Sequence, residues 1–231
     1  MCIRDRAKDL QQKILFVLFA LIVYRLGTFI PIPGINSEVF KEIFSQNAGG
    51  LLGMFDMFVG GAVQRMSIFA LGVMPYISAS IIMSLLTHLN PTLSQLKKEG
   101  GEQGRQKINQ YTRYGTVLLA TFQGYVLSIG LESMGGASGS AVIDHGLFFR
   151  LSTVITIIGG TIFLLWLGEQ ITQRGIGNGI SLIIFAGIVA NLPSAIAGTF
   201  ELVRTGALSP FFVIALIFFI ALIFIFIVFM E

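Results

Sequence analysis

The sequence predicts an all-α membrane protein, a multi-spanning bundle of about six hydrophobic helices. Hydrophobic residues make up 54% of the chain and charged residues only 12%, whereas about a quarter of the residues of a soluble domain are charged. The mean hydropathy is +0.82. Apolar runs at 14–32 and 210–230 each have the roughly 20 residues that a helix needs to cross a hydrocarbon core. Lipid, rather than water, is therefore the main solvent of this chain.

Hydropathy and basic residues together predict the spans and their orientation. Because backbone groups inside lipid need internal partners, we expect helices at 13–32, 66–89, 111–131, 148–170, 179–198 and 210–230. Ten of the fifteen basic residues then fall on the side of the N-terminus: Arg4, Arg6, Lys8, Lys13, Lys97, Lys98, Arg105, Lys107, Arg113 and Arg174. Arg25 lies inside a span, and the other side has Lys41, Arg65, Arg150 and Arg204. The positive-inside rule makes the N-terminus cytoplasmic.

Composition argues against several other classes of protein. The basic pI of about 9.2 comes from a few loops rather than from an exposed stripe, so nucleic-acid binding is disfavoured. A single cysteine, Cys2, excludes a disulfide framework and a cysteine metal cluster. The two histidines, His88 and His145, fall at or outside the ends of the predicted spans, on opposite sides of the membrane. We therefore expect no metal site and no cofactor.

The stretch 49–67 is too polar and too rich in glycine to span the membrane. It nevertheless carries a series of large apolar side chains, which predicts a short amphipathic helix inside the protein or at its outer face. The pattern alone favours an interfacial helix lying on lipid over a pore element.

Two residues within the predicted spans are unusual. Pro75, preceded by Gly72, removes a hydrogen bond from the second span, which should kink or break there. Helix packing alone explains such a kink as well as a cargo path does. Arg25 needs a partner, a cavity or an interface, and its position six residues before Pro31 favours snorkelling to the outer interface.

Five stretches together resemble the SecY family of bacterial protein-conducting channels, from about Lys13 to Met230. They are FIPIPGI at 29–35, MFDMFVGGA at 54–62, SIFALGVMPYISASII at 67–82, QYTRYG at 110–115 and WLGEQITQRGIGNGIS at 166–181. Their order and their spacing relative to the predicted spans both fit that family. The chain is identified on these motifs as similar to the first half of a SecY-type inverted-repeat channel.

The resemblance implies an hourglass pore between two inverted halves of five helices each. Residues 1–12 would be a cytoplasmic N-terminus, with 1–6 an unnatural start. Residues 13–198 would form the first half, with a plug at 51–65, and 199–231 a loop and the sixth helix, cut short at the C-terminus. The narrow waist of such a pore is a ring of aliphatic side chains, and the matching positions here are Val73, Ile77 and Ile184.

The resemblance also implies a plug and a lateral gate, and so reverses the preference for an interfacial helix. The plug, which closes the outer funnel at rest, would use Leu51, Leu52, Met54, Phe55, Met57 and Phe58. The lateral gate, through which signal sequences reach lipid, would use Pro75, Ser78, Ile81, Ile82 and Gln123. Its facing helix would lie beyond Glu231.

The implied function is the pore-forming subunit of a protein translocase in the bacterial cytoplasmic (inner) membrane. Unfolded secretory polypeptides would cross through the pore, and membrane proteins would leave it sideways. The implied partners are SecE and SecG type small subunits, a SecA motor or a ribosome, signal sequences, nascent polypeptides and membrane lipid.

Two other functional classes remain as alternatives. A small-solute secondary transporter would need a polar or ionisable cluster near the midplane, whereas Val73, Ile77 and Ile184 are apolar. An intramembrane enzyme would need a nucleophile and a base, or paired carboxylates, at bilayer depth. Because the histidines and acidic residues fall at or outside the ends of the predicted spans, we do not expect an enzyme.

Overall fold

The chain folds as an all-α protein whose helices follow the predicted spans. The computed structural model describes residues 3–47, 53, 56, 59–99, 101–133, 135–136, 139–140, 142–143, 146–206 and 209–230. In these ranges the helices are α1 Ile3–Gly27, α2 Ser37–Asn47, α3 Met74–Leu89, α4 Pro91–Glu99, α5 Gly101–Ser133, α6 Leu147–Arg174, α7 Gly179–Arg204 and α8 Pro210–Met230. Two short strands, β1 Gly135–Gly136 and β2 Gly139–Ser140, pair antiparallel between α5 and α6.

Five of these helices are long and apolar enough to cross a membrane. The candidate spans are Asp9–Gly27, Gln103–Ser133, Leu147–Arg174, Gly179–Arg204 and Phe211–Met230. The remaining predicted span, the second one at 66–89, corresponds to α3, which is apolar but has only 16 residues. At 1.5 Å per residue α3 covers about 24 Å, less than a hydrocarbon core of about 30 Å.

The second span is shorter than predicted because the chain from 60 to 73 is not helical. The sequence predicted a helix from residue 66, whereas α3 begins at Met74. Met66 and Gly72 have φ angles of 44° and 54°, which a right-handed helix cannot contain. Pro75 then occupies the first turn of α3, where its missing N–H costs no hydrogen bond. The predicted break at Pro75 is therefore present, as the start of a helix.

The non-helical stretch, residues 60–73, obtains backbone partners from the turn that follows α1. The N–H of Ile32 donates to the carbonyl of Met66 at 2.9 Å, and the N–H of Ile68 donates to the carbonyl of Ile30 at 3.0 Å. Pro31 and Ser67 form the antiparallel bridge between these two bonds. The stretch is thus fixed beside the C-terminal end of α1, and it sets the position at which α3 begins.

Two ion pairs join α5 to α6. Arg113 forms a bidentate pair with Glu169, with N···O distances of 2.9 and 2.6 Å. Near the other ends of these helices, Arg150 donates twice to Glu132 at 2.8 and 2.6 Å. Glu132 also accepts the N–H of Gly146, directly before α6, where a helix favours negative charge. The two pairs fix α5 and α6 as antiparallel neighbours.

Glycine allows the non-helical stretch to approach α6. A Cβ atom at Gly160 would overlap the carbonyl oxygen of Ile68 and lie 3.2 Å from the ring of Phe69. Its neighbour Gly159 is exposed and has nothing within 4 Å of the same position. The two adjacent glycines of α6 therefore have opposite surroundings.

Residues 189–231 form a second compact unit, which is described here by itself. It contains the C-terminal part of α7, with Pro193 inside the helix, and all of α8. Within the candidate span Phe211–Met230 no residue is buried, although the mean hydropathy of its most apolar window is 3.5. Such a helix requires a lipid or protein environment on every side.

We predict opposite effects of alanine at the two glycines of α6. Gly160→Ala should lower the free energy of unfolding by about 1–3 kcal/mol, because the new methyl group overlaps the Ile68 carbonyl. Gly159→Ala should raise it by up to about 1 kcal/mol, since alanine favours the helix and meets no neighbour. Thermal unfolding of the purified protein in detergent measures both effects. Equal shifts in the same direction would contradict the close approach at Gly160.

Candidate functional site

An apolar cavity of about 270 Å³ lies among α1, α3, α6 and α7. The three aliphatic residues singled out in the sequence, Val73, Ile77 and Ile184, all line it. The rest of its lining consists of Tyr24, Val59, Gly72, Met74, Leu164 and Ile183. The fold therefore brings the three residues together around one space, although more than a hundred positions separate Ile77 from Ile184 in the sequence.

Local structure explains how each aliphatic side chain reaches the cavity. Val73 is the residue directly before α3, and it follows the left-handed Gly72. Ile77 lies one turn further along α3, and its N–H donates to the Val73 carbonyl at 3.0 Å. Ile184 lies in the second turn of α7, beside the fully buried Ile183. The start of α3 and the first turns of α7 thus supply the three side chains.

The lining of the cavity offers almost no hydrogen bonds to water or ions. Tyr24 contributes a polar side-chain group to the described lining, its hydroxyl, which already donates to the carbonyl of Val59 at 3.1 Å. A narrow space with such walls loses water readily and so excludes hydrated ions. Aliphatic side chains can also change rotamer around an object that enters. The arrangement can seal a pore, but it offers no group for covalent chemistry.

A larger polar cavity of about 510 Å³ lies close to the apolar one, among α3, α5, α6 and the start of α7. Tyr76, which lines it, is the neighbour of Ile77, and Ile180 lies one turn before Ile184. Its remaining lining consists of Gln106, Asn109, Gln110, Arg113, Glu169, Thr172, Gln173 and Asn178. Because the Arg113–Glu169 pair is neutral as a unit, the lining combines uncharged amides with a balanced ion pair.

The predicted plug is only partly described. Leu51, Leu52, Met54, Phe55, Met57 and Phe58 lie outside the described residues. Its described part includes Gly53, Asp56 and the chain from Val59 onward. The carboxylate of Asp56 accepts the N–H groups of Val63 and Gln64, both at 2.9 Å. This carboxylate supplies acceptors where Gly60 and Gly61, with φ angles of 70° and 82°, end the helical path.

Arg25 has a partner, as the sequence requires for a cation inside a predicted span. Its Nη1 donates to the carbonyl of Gly60 at 2.6 Å, and its guanidinium lies 5.4 Å from the centroid of the Phe29 ring. The acceptor lies 35 positions away in sequence, and snorkelling to the outer interface stays a prediction. Sequence reasoning missed Tyr24, although its neighbour Arg25 could have drawn attention to it.

The predicted lateral-gate residues lie on one side of α3 and on α5. Pro75 is buried at the start of α3, Ser78 is half-buried, and Ile81 and Ile82 are exposed. Gln123 of α5 is half-buried, and its Oε1 atom has no hydrogen-bond partner within the described part of the chain. Exposed isoleucines and an amide oxygen that lacks a donor would suit a surface that packs against a further helix. No group of three potential metal ligands occurs among the described residues.

A family model and individual known proteins both relate this chain to one family. The family described as SecY matches residues 67–231. The chain is 58% identical over 200 residues to protein translocase subunit SecY of Escherichia coli K12, which covers 87% of this chain and 45% of that protein. It is 54% identical over 228 residues to protein translocase subunit SecY of Rickettsia typhi, and this match covers 99% of this chain and 52% of that protein.

Solved structures support the fold. A protein-conducting channel superposes with a TM-score of 0.51 at 21% identity, over 77% of this chain and 36% of that one. Canine Sec61, from a ribosome–channel complex of the endoplasmic reticulum, gives 0.53 at 20% identity with the same coverage. The chain spans about half the length of the curated relatives given above. From the family match over most of its length and the identity to these relatives, the chain belongs to the SecY family.

Proposed function

We propose that this chain acts as the pore-forming subunit of a protein translocase. The observation that carries the proposal is the apolar cavity in which Val73, Ile77 and Ile184 meet, in a chain of the SecY family. Unfolded secretory polypeptides would cross the membrane through this space, and membrane proteins would leave it sideways into lipid. Residues 13–198 would supply the first half of the channel, and residues 199–231 a loop and a sixth helix.

The mechanism is a shift between a closed and an open population. At rest, the aliphatic side chains of the cavity exclude water and ions, and the plug at 51–65 covers the outer side. A signal sequence that binds better to the open state would displace the lateral gate and favour that state. The gate residues Pro75, Ser78, Ile81, Ile82 and Gln123 would form one wall of this exit. Hydrogen bonds of Ser78 or Gln123 across the gate would hold it shut by about 1 kcal/mol.

The channel would work as a complex rather than alone. We propose SecE and SecG type small subunits, a SecA motor or a ribosome, nascent polypeptides with their signal sequences, and membrane lipid as its partners. Relatives named protein translocase subunit SecY and a Sec61 from a ribosome–channel complex support this choice. The site would be the bacterial cytoplasmic (inner) membrane, with a cytoplasmic N-terminus, as the ten basic residues on that side favour.

The channel would be passive, and the force would come from a partner. Small-solute transport, the alternative raised by the broken second span, has no support in the cavity, because its described lining residues include no Asp, Glu, Lys, Arg or His. Membership of a protein-conducting channel family also makes the chain a conduit and not an enzyme.

The seal can be tested by ion leakage. We expect Val73→Gly combined with Ile77→Gly to let ions pass through the resting channel, because glycine removes the apolar side chains that dewet the cavity. The measurement is ion flux in proteoliposomes, with the chain completed by the second half of a SecY relative and no precursor present.

Leu85→Gly is the matched control for the seal. Leu85 lies on the same helix, α3, but is 59% exposed and does not line the cavity, so glycine there weakens the helix without opening the space. A double variant as tight as the unsubstituted channel, or a control that leaks equally, would contradict the proposed seal.

The orientation can be tested with thiol reagents. After Cys2→Ser, single cysteines at Gln95 of α4 and at Ile143, between α5 and α6, provide two exposed thiols on opposite sides of the proposed membrane. We expect a membrane-impermeant maleimide added outside intact spheroplasts to label Ile143→Cys and not Gln95→Cys. Disrupting the membrane should make both thiols react. The reverse labelling pattern in intact spheroplasts would overturn the proposed orientation.

A further inference from the structure

Two consecutive residues of α1 hold two consecutive carbonyls of the predicted plug. The hydroxyl of Tyr24 donates to the Val59 carbonyl at 3.1 Å, and Nη1 of Arg25 donates to the Gly60 carbonyl at 2.6 Å. Each bond joins positions that are 35 residues apart in sequence. We propose that Tyr24 and Arg25 form a latch that keeps the plug in its closed position and sets the resting tightness of the channel. This inference rests on the proposed function.

The acceptors exist because the backbone leaves its helical path at this point. Val59 is helical, whereas Gly60 and Gly61 are left-handed. The helix therefore ends here and supplies no further N–H partners for its last carbonyls. Gly61 donates back to the Asp56 carbonyl at 3.1 Å. The Val59 and Gly60 carbonyls receive their donors from α1 instead. An unpaired carbonyl at membrane depth is unfavourable, which makes these two donors valuable to the closed state.

The contact at Gly60 leaves no space for a side chain. A Cβ atom there would lie 3.1 Å from Nη1 of Arg25 and 3.1 Å from the Cα and carbonyl oxygen of Gly187 in α7. The backbone of the plug is therefore held between a cation on α1 and a bare stretch of backbone on α7. Glycine is required both for its φ angle of 70° and for this close approach.

The two donors are unequal. The bond from Arg25 is short and charged, and charged hydrogen bonds are roughly twice as strong as neutral ones. The bond from Tyr24 is longer and neutral, but its hydroxyl lies at the cavity wall, together with Val59. Departure of the plug would leave the guanidinium without its carbonyl inside a span, where an unpartnered cation is unfavourable. Arg25 is therefore the main positioning residue of the latch.

Aliphatic contacts alone would hold the plug without fixing its position along α1. The two hydrogen bonds fix that position, because the spacing of Tyr24 and Arg25 matches that of Val59 and Gly60. An incoming polypeptide carries the same acceptor, the backbone carbonyl, at every residue. It can therefore replace Val59 as the partner of Tyr24 when it enters the cavity, whereas a small cation cannot accept a hydrogen bond. The latch would thus yield to polypeptides and remain closed to small cations.

The test measures ion flux through the resting channel, with this chain completed by the second half of a SecY relative. Arg25→Gln removes the charge and should raise the flux about tenfold, which corresponds to about 1.4 kcal/mol. Arg25→Lys keeps a cationic donor and should restore most of the tightness. Tyr24→Phe removes only the hydroxyl and should raise the flux about threefold, as expected for one neutral hydrogen bond.

Lys41→Gln is the matched control. Lys41 lies on α2, outside the predicted plug, and its side chain is exposed. Its loss removes equal charge from the chain without touching the Gly60 carbonyl. The latch predicts that this variant stays tight. Equal leakage from Lys41→Gln and Arg25→Gln would overturn the proposal, as would a tight Arg25→Gln channel.

Separate measurements distinguish a failed latch from a failed function. Translocation of a signal-bearing precursor by the unsubstituted channel tests the function, whereas the resting flux of the variants tests the latch without any precursor. A merely structural role of Arg25 would lower the unfolding temperature of Arg25→Gln without raising the flux. Should Arg25→Gln fail to accumulate, Tyr24→Phe and Gly60→Ala decide the matter, and two tight channels would overturn the latch.

Discussion

The structure depends on how the non-helical stretch, residues 60–73, satisfies its backbone at membrane depth. A continuous helix would pair its own polar groups, but the left-handed residues of this stretch prevent one. The chain supplies external partners instead: two hydrogen bonds to the turn after α1, one from Arg25 of α1 to Gly60 and two to the carboxylate of Asp56, while Tyr24 of α1 donates to the adjacent Val59. Because the stretch ends at Gly72 and Val73, these same bonds place the wall of the apolar cavity.

Aromatic packing carries this constraint into the helices. The ring of Phe69 stacks on Tyr24 of α1 at a centroid distance of 6.1 Å and on Phe163 of α6 at 5.9 Å. A Cβ atom at Gly27 or Gly160 would overlap Phe69 or the neighbouring Ile68, so glycine at both positions permits the approach. Such stacked pairs contribute roughly 0.5–1.5 kcal/mol each beyond their buried area. Phe69 thus links both helices to the stretch that leads into the cavity, and the position of Val73 follows.

The sequence predicted the parts of the fold that depend on local composition. Long apolar runs located the membrane helices, and Pro75 with Gly72 indicated the break before α3. The prediction failed where contacts between residues far apart in sequence decide the local structure. Residues 66–73 are apolar enough to read as helix, but Met66 and Ile68 form backbone hydrogen bonds with the turn after α1 instead. Likewise the partner of Arg25 is a backbone carbonyl, which has no signature in a sequence. The grouping of Val73, Ile77 and Ile184 came from family resemblance, since their spacing in the chain does not reveal it.

The spacing of the two ion pairs between α5 and α6 can be compared with the thickness of a membrane. Arg113 and Glu132 on α5, and Arg150 and Glu169 on α6, are each separated by about 28 Å at 1.5 Å per residue, close to a hydrocarbon thickness of about 30 Å. The pairs therefore fit the two interfaces, where water stabilises charge that lipid would not. An arginine whose charge is neutralised by an ion pair is a weak signal for membrane orientation. Without Arg113 and Arg150, nine basic residues still lie on the N-terminal side and three on the other side. The proposed orientation thus keeps its basis without these two arginines, and the two ion pairs would mark how far α5 and α6 extend through the bilayer.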